Sequence, residues 1–434
     1  MLLDVESYKK RVAAYSREIM QSGAGREAMA SAVAFAKSAL YPSVALQADG
    51  QYRINGSSMN FGAESFDMPH DSYSVVARMS QVVYGGGVKA SYGMARVNEN
   101  KARANEELTY NDVLYAAETA YWHTVAQGGL YEVMCSYVEI IGSLETLLGE
   151  RYNEGAIAQT DYLQILSRLK EALIGRSNIY KSYVISLQNL NVMMGESPDT
   201  PVKLVTSFGG GSDSTLCFAG NQEWVSASFH EVEGVQDSSD APLPDWQPSL
   251  QELLARRPEY KIASLDVDYR EKELNLVKSN YNPQIEAGVQ QSWGTPALNF
   301  TGNPQFNTGI YAKVNIPLFE WGARYKRIRW QRSLISEARL EMQRVADNIV
   351  KEVANARVEY QESIRQLEMA RQAREIAQTN LELNTFSYTE GRLAIVDVLS
   401  SQVTWLQAES RYVELLLGSR VARATYLKAL GSFR

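Results

Sequence analysis

The chain has 434 residues, of which 45% are hydrophobic and 21% charged, and it carries a net charge of −7. That composition excludes a disordered chain, and the acidic balance argues against a general nucleic-acid binder, which is normally basic. A mean hydropathy of −0.28, with no run of about 18 apolar residues, argues against transmembrane helices. The cysteines Cys135 and Cys217 and the histidines His70, His123 and His230 are scattered, so neither a disulfide scaffold nor a metal cluster is expected. The opening MLLDVESYKK has no apolar core or cleavage site. The expectation is a cytosolic protein, or a mature form given a start methionine.

In chain order, residues 1–41 predict a helix. Ser43–Ile54 alternates, with Val44, Leu46, Ala48, Gly50, Tyr52 and Ile54 on one side and polar residues on the other. Tyr73–Tyr84 alternates less cleanly, across a Gly/Asn/Ser/Pro-rich loop at 55–72. Residues 70–197 then contain no proline, which predicts long helices. Residues 197–248, with GGGS at 209–212, acids around Asp237–Asp240 and prolines at 242–248, read as a linker. After a second helix, the strands Pro283–Trp293 and Phe306–Leu318 flank a loop at 294–305. Residues 318–434 again lack proline, and apolar positions from Ile335 to Leu367 recur about every 3.6 residues. A helix from about Ala323 to Phe386 would be about 95 Å long, so an elongated protein is expected.

Strands of about a dozen residues with one apolar and one polar face have two readings. One is a soluble antiparallel sheet packed on a core. The other is a membrane barrel, lipid outside and water inside, since such strands tilted by about 40° cover roughly 30 Å. Four strands cannot close a barrel, which needs about eight, so several copies would each contribute four.

The chain also reads as a tandem duplication. YNEGAIAQTDYL, Tyr152–Leu163, matches YTEGRLAIVDVL, Tyr388–Leu399, at an offset of 236, and Gly195 pairs with Gly431 at the same offset. Pro42 pairs with Pro283, and Gly87 with Gly322. The predicted segments are a first-repeat helix 1–41, strands 42–86, helical hairpin 87–196, linker 197–248, second-repeat helix 249–281, strands 282–321 and helical hairpin 322–434.

On these features the sequence resembles the TolC-like outer-membrane efflux proteins. The resemblance rests on Leu-Tyr-Pro-Ser before the first strand, Asn-Ile-Pro-Leu-Phe-Glu-Trp-Gly at 315–322 after the fourth, and the duplicated Tyr-x-x-Gly-x-x-x-x-x-Asp turns. It implies a mixed α and β membrane protein: a homotrimer whose twelve-stranded β-barrel continues into a long α-helical tunnel in the periplasm. It further implies a periplasmic adaptor, an inner-membrane transporter contacted indirectly, outer-membrane lipid as surroundings, no enzyme activity and no cofactor. The function implied is a passive exit duct for efflux or type I secretion. A periplasmic adaptor would need one hairpin between small β domains. A coiled-coil scaffold would lack the four strands.

The resemblance places the two turns at a periplasmic tip, where the adaptor would contact Gly155, Ala156, Ile157, Gly391, Arg392 and Leu393. As helix-hairpin turns alone, Gly155 and Gly391 need no further role. Asp161 and Asp397 could likewise be first-turn acids stabilised by the helix dipole. The resemblance instead makes Asp397, repeated in threefold symmetry, a pore constriction able to hold a cation. The gate set is completed by Thr160, Asp161 and Tyr388, with a Tyr388–Asp161 hydrogen bond between neighbouring hairpins. Ser400 stands where the family has a second aspartate. Leu393 stands where the family has a gate arginine, with Arg392 one residue earlier. The cluster Arg324, Lys326, Arg327, Arg329 and Arg332 is either a solvated face or a contact with anionic lipid heads or the adaptor. Trp293, Trp321 and Tyr84 would suit an aromatic girdle, or packing under the sheet.

Overall fold

The computed structural model describes all residues except 1, 55–57, 62–63, 68–69, 207–213, 218–248, 296–303 and 434. The described chain runs β1 Leu2–Leu3, α1 Val5–Tyr15, α2 Arg17–Ser38, β2 Ser43–Tyr52, β3 Ser58–Phe61, β4 Glu64–Asp67, β5 Asp71–Tyr84, α3 Val88–Asn153 and α4 Gln159–Met194. It continues β6 Lys203–Thr206, β7 Ser214–Cys217, α5 Leu250–Arg256, α6 Pro258–Ser279, β8 Gln284–Thr295, β9 Gln305–Asn315, α7 Ala323–Thr389 and α8 Ile395–Ala429. The long helices follow the proline-free stretches: α3 has 66 residues and α7 has 67. No described helix is long and apolar enough to cross a membrane.

Three details differ from the sequence reading. The N-terminal segment is a short strand and two helices, because Ser16 leaves the helical region between α1 and α2. The loop after β2 carries the β3–β4 ladder. The segment read as linker begins with β6 and β7, which join β1 in a small sheet. The acidic and proline-rich parts of that segment lie outside the described residues.

Contacts divide the chain into two units. The first comprises residues 1–22, 106–258 and 346–434. One of its apolar clusters packs Leu3, Tyr8 and Val12 against Val113, Ala117, Tyr121, Leu187, Leu190 and Leu204. The Tyr121 hydroxyl donates to the Leu3 carbonyl at 3.0 Å. Arg257, 4% exposed at its side chain, donates to the carbonyls of Lys428 and Ala429 at 3.1 and 2.9 Å and to Glu352 at 2.7 Å. It thereby satisfies the Ala429 carbonyl, which the end of α8 leaves without a helical partner, and shares the Lys428 carbonyl with the Gly431 amide.

The second unit comprises residues 23–105 and 259–345. Its four-stranded antiparallel sheet has the order β2-β5-β8-β9. The register pairs Val44 with Met79, Met79 with Val289 and Val289 with Ile310. Ala48, Val75, Trp293 and Phe306 form a parallel series. Because side chains alternate along a strand, these residues share one face. The other face carries Gln47, Arg78, Gln290, Glu286 and Lys313; Arg78 donates to Gln290 at 3.1 Å and Tyr311 to Glu286 at 3.0 Å. Every residue of β2 is exposed, and so is every residue of β9 except Tyr311. Within the chain, therefore, neither face of the edge strands packs on a core. Below the sheet, Lys101–Asp266 at 2.6 Å and Gln331–Glu273 at 2.6 Å tie α6 to α3 and α7.

Candidate functional site: the two helical turns

The turns between α3 and α4 and between α7 and α8 are built alike. The Gly155 amide donates to the Tyr152 carbonyl at 3.0 Å, and the Ala156 amide to the Arg151 carbonyl at 2.8 Å. In the second turn Gly391 donates to Tyr388 and Arg392 to Ser387, both at 2.9 Å. This is the Schellman pattern, which stops a helix with a left-handed residue. Gly155 and Gly391 supply it, with φ of 72° and 73°. Each following helix starts at an alanine without a side-chain cap, and has Asp161 or Asp397 in its first turn. There the carboxylates lie beside the positive end of the helix dipole.

Asp397, Ser400, Thr160, Gly155, Ala156, Gly391 and Arg392 are exposed, while Asp161, Ile157 and Leu393 are half-buried. Asp397 and Ser400 are three residues apart on α8, so they share a face. Tyr388 is different: it is 7% exposed. It belongs to an apolar cluster that draws on both hairpins, with Ile141, Leu144, Leu148 and Ile165 from the first and Leu381, Ile395, Val398 and Trp405 from the second. No hydrogen bond joins Tyr388 to Asp161 within the chain. The Arg151 guanidinium instead lies over the Tyr388 ring, 5.3 Å from its centroid. Burial in the cluster turns the phenol ring toward apolar neighbours, and Arg151 covers its remaining face. Tyr152 and Tyr162 stack at 5.3 Å with their planes 4° apart. Tyr162 donates to Glu145 at 3.0 Å, and that hydrogen bond is the main cause holding its phenol above the usual range.

Two residues in this unit escaped the sequence reading. Arg151 is the last-turn cation of α3; its place four residues before Gly155 was the available signal. Glu132 on α3 sits within an otherwise regular helical pattern. Its Oε2 has no hydrogen-bond partner, and burial pushes its carboxyl up to about 8. Among the described residues no group of His, Cys, Asp or Glu is arranged to hold a metal ion.

Long paired helices with glycine-capped turns are thus joined in one chain to a four-stranded sheet with bare edges. A family model described as outer membrane efflux protein matches residues 10–196 and 249–432, and the chain belongs to that family. Among solved structures, the outer membrane protein VceC of Vibrio cholerae is 15% identical, with a TM-score of 0.76 over 98% of this chain and 96% of its own. The CmeC outer membrane channel of Campylobacter jejuni is 14% identical, with a TM-score of 0.76 over 99% and 86%. The open-state MtrE outer membrane channel of Neisseria gonorrhoeae is 14% identical, with a TM-score of 0.73 over 99% and 89%. At such identities the likeness is one of fold. No curated protein sequence matches significantly.

Proposed function

We propose that three copies of this chain form a passive exit duct in the bacterial outer membrane, serving a tripartite efflux or type I secretion system. The observation that carries this reading is the β2-β5-β8-β9 sheet, whose edge strands are exposed on both faces and bare along their outer edges. Unpaired strand edges invite further strands. Strand directions alternate across the sheet, so β9 of one copy can meet β2 of the next and keep the antiparallel order. Three copies give twelve strands, above the closure minimum of about eight. The face bearing Val44, Met79, Val289 and Ile310 would meet lipid, and the face bearing Gln47, Arg78 and Gln290 would meet water.

The helical hairpins of the two repeats, descended from one duplicated unit, would form the periplasmic tunnel. Leu163, Ile174, Ile185 and Val192 on α4, and Met369, Ile376, Leu383 and Phe386 on α7, are exposed apolar residues at spacings of helical periodicity. Their burial between copies favours assembly over a solitary chain. At the turns, Asp397 and Ser400 would line the constriction, where a ring of aspartates holds a cation. Thr160 and Asp161 would face a neighbouring hairpin. Gly155, Ala156, Ile157, Gly391, Arg392 and Leu393 would meet a periplasmic adaptor. An inner-membrane transporter, coupled through that adaptor, would supply the energy.

Cysteine pairs placed across the edges test the assembly, for example Ala45→Cys with Gly309→Cys, moved along both strands to find the register, in a Cys135→Ser/Cys217→Ser background. The expected product is a covalent ladder ending at three chains. A detergent-purified protein that stays monomeric with every pair contradicts the proposal.

A further inference from the structure

From the start of α7 we infer a binding surface for anionic phospholipid headgroups, on the strand-exit segment 316–332. The inference rests on the barrel reading above and adds a lipid preference to it.

Arg324, Lys326, Arg327, Arg329 and Arg332 are all exposed. Among the described residues none of them forms an ion pair. Further along the same helix Arg339, Arg344, Arg365, Arg371 and Arg374 each pair with a glutamate. Over 316–332 the only acid is Glu320. Lys326, Arg329 and Arg332 follow one another at intervals of three, so like charges face each other along the helix. They also crowd the helix end where the dipole disfavours cations, and its first turn holds no acid. Arg324 covers the Tyr281 ring at 5.7 Å, a contact that leaves its charge without a counter-ion. The chain thus concentrates positive charge where its own structure opposes it. An external anion supplies what is missing.

The neighbouring side chains indicate where that anion sits. Ile316 and Leu318 extend the even-numbered apolar series Phe306, Ile310, Val314 past the end of β9. Leu318 is 90% exposed, Trp321 88% and Phe319 72%, and Tyr325 and Trp330 are exposed as well. Trp321 is the described non-glycine residue with positive φ, at 47°, and the phenylalanine and tryptophan rings of 319 and 321 touch edge-on at 5.2 Å. Bare aromatic and aliphatic groups directly beside bare guanidinium groups match a boundary where hydrocarbon gives way to phosphate. The segment leaving β5 has no such cluster: over Gly85–Lys101 its cations are Lys89, Arg96 and Lys101, each five or more residues from the next. Each copy therefore presents one such surface.

The test uses the full-length protein purified in detergent, with native mass spectrometry against phosphatidylglycerol and phosphatidylcholine. The wild type should retain phosphatidylglycerol preferentially, and rising salt should weaken the preference. A variant carrying Arg324→Gln, Lys326→Gln, Arg327→Gln and Arg329→Gln should lose roughly fivefold in relative retention per charge removed, the factor for a cation close to an anionic surface. The matching variant with Arg324→Lys, Arg327→Lys and Arg329→Lys should keep it. No preference in the wild type, or an unchanged preference in the glutamine variant, overturns the inference. Carbonate-resistant insertion of both proteins into pure phosphatidylcholine vesicles tests the barrel independently. Extraction of the wild type from those vesicles overturns the barrel reading and the headgroup surface with it.

Discussion

The Arg151 guanidinium lies 5.3 Å over the Tyr388 ring, and the backbone carbonyls of these same two residues accept the hydrogen bonds that close the α3 and α7 helix ends. One contact therefore joins the last turns of α3 and α7, one helix from each hairpin. A partly desolvated cation–π pair contributes about 1–2 kcal/mol, enough to bias the proposed gate between two states. Arg151→Gln and Tyr388→Ala should each raise resting single-channel conductance several-fold. Tyr388→Phe retains the ring and should conduct like the wild type. A large rise with Tyr388→Phe would instead assign the latch to a hydroxyl bond with Asp161.

Gly155 and Gly391 need their left-handed backbone, but a Cβ at either would meet nothing within 4 Å. Alanine there should cost about 1–2 kcal/mol each, the strain of the left-handed conformation alone, read as a modest fall in thermal midpoint. Gly195 has the same backbone, but a Cβ there would overlap the Tyr15 ring. Gly195→Ala should cost more than either, because the Tyr15 side chain must also move aside.

What could be read from the sequence divides along physical lines. Val44, Leu46 and Ala48 alternate with period two because one sheet face differs from the other, and β2 forms at that place. Proline-free stretches became α3 and α7 because proline has no amide to give a helix. The turn glycines were legible as helix stops. The two-residue strand Leu2–Leu3 was not, since its pairing with Leu204 depends on a partner about 200 residues away. Nor was the Arg151–Tyr388 contact: the position equivalent to Arg151 in the second turn is Ser387, so no repeated motif marks it.

Arg257 donates to the last carbonyls of α8 and to Glu352 from a buried position, whereas Glu352 is 43% exposed at its side chain. Arg257→Met leaves the Ala429 carbonyl without a donor, but lets Glu352 hydrate. A loss of about 2 kcal/mol is expected, measured by denaturant titration. Glu352→Gln should cost less than half of that.

Glu132 gives a pH dependence. Burial raises its carboxyl from an ordinary 4.5 to about 8. Between those values the folded chain holds a proton that the unfolded chain has released. The stability it contributes is full below pH about 4.5 and is lost as pH rises through about 8, on the order of 5 kcal/mol. Glu132→Gln should flatten the thermal midpoint across that window and raise it at its alkaline end. A wild-type midpoint that rises with pH there would contradict this assignment.

In the proposed assembly three chains close a water-filled duct. Single-channel recording of the purified protein in planar bilayers tests it most directly. Small, uniform, cation-selective steps are expected, whose selectivity falls with Asp397→Asn and whose size grows with Arg151→Gln. Protein that remains monomeric without detergent and passes no current would contradict it.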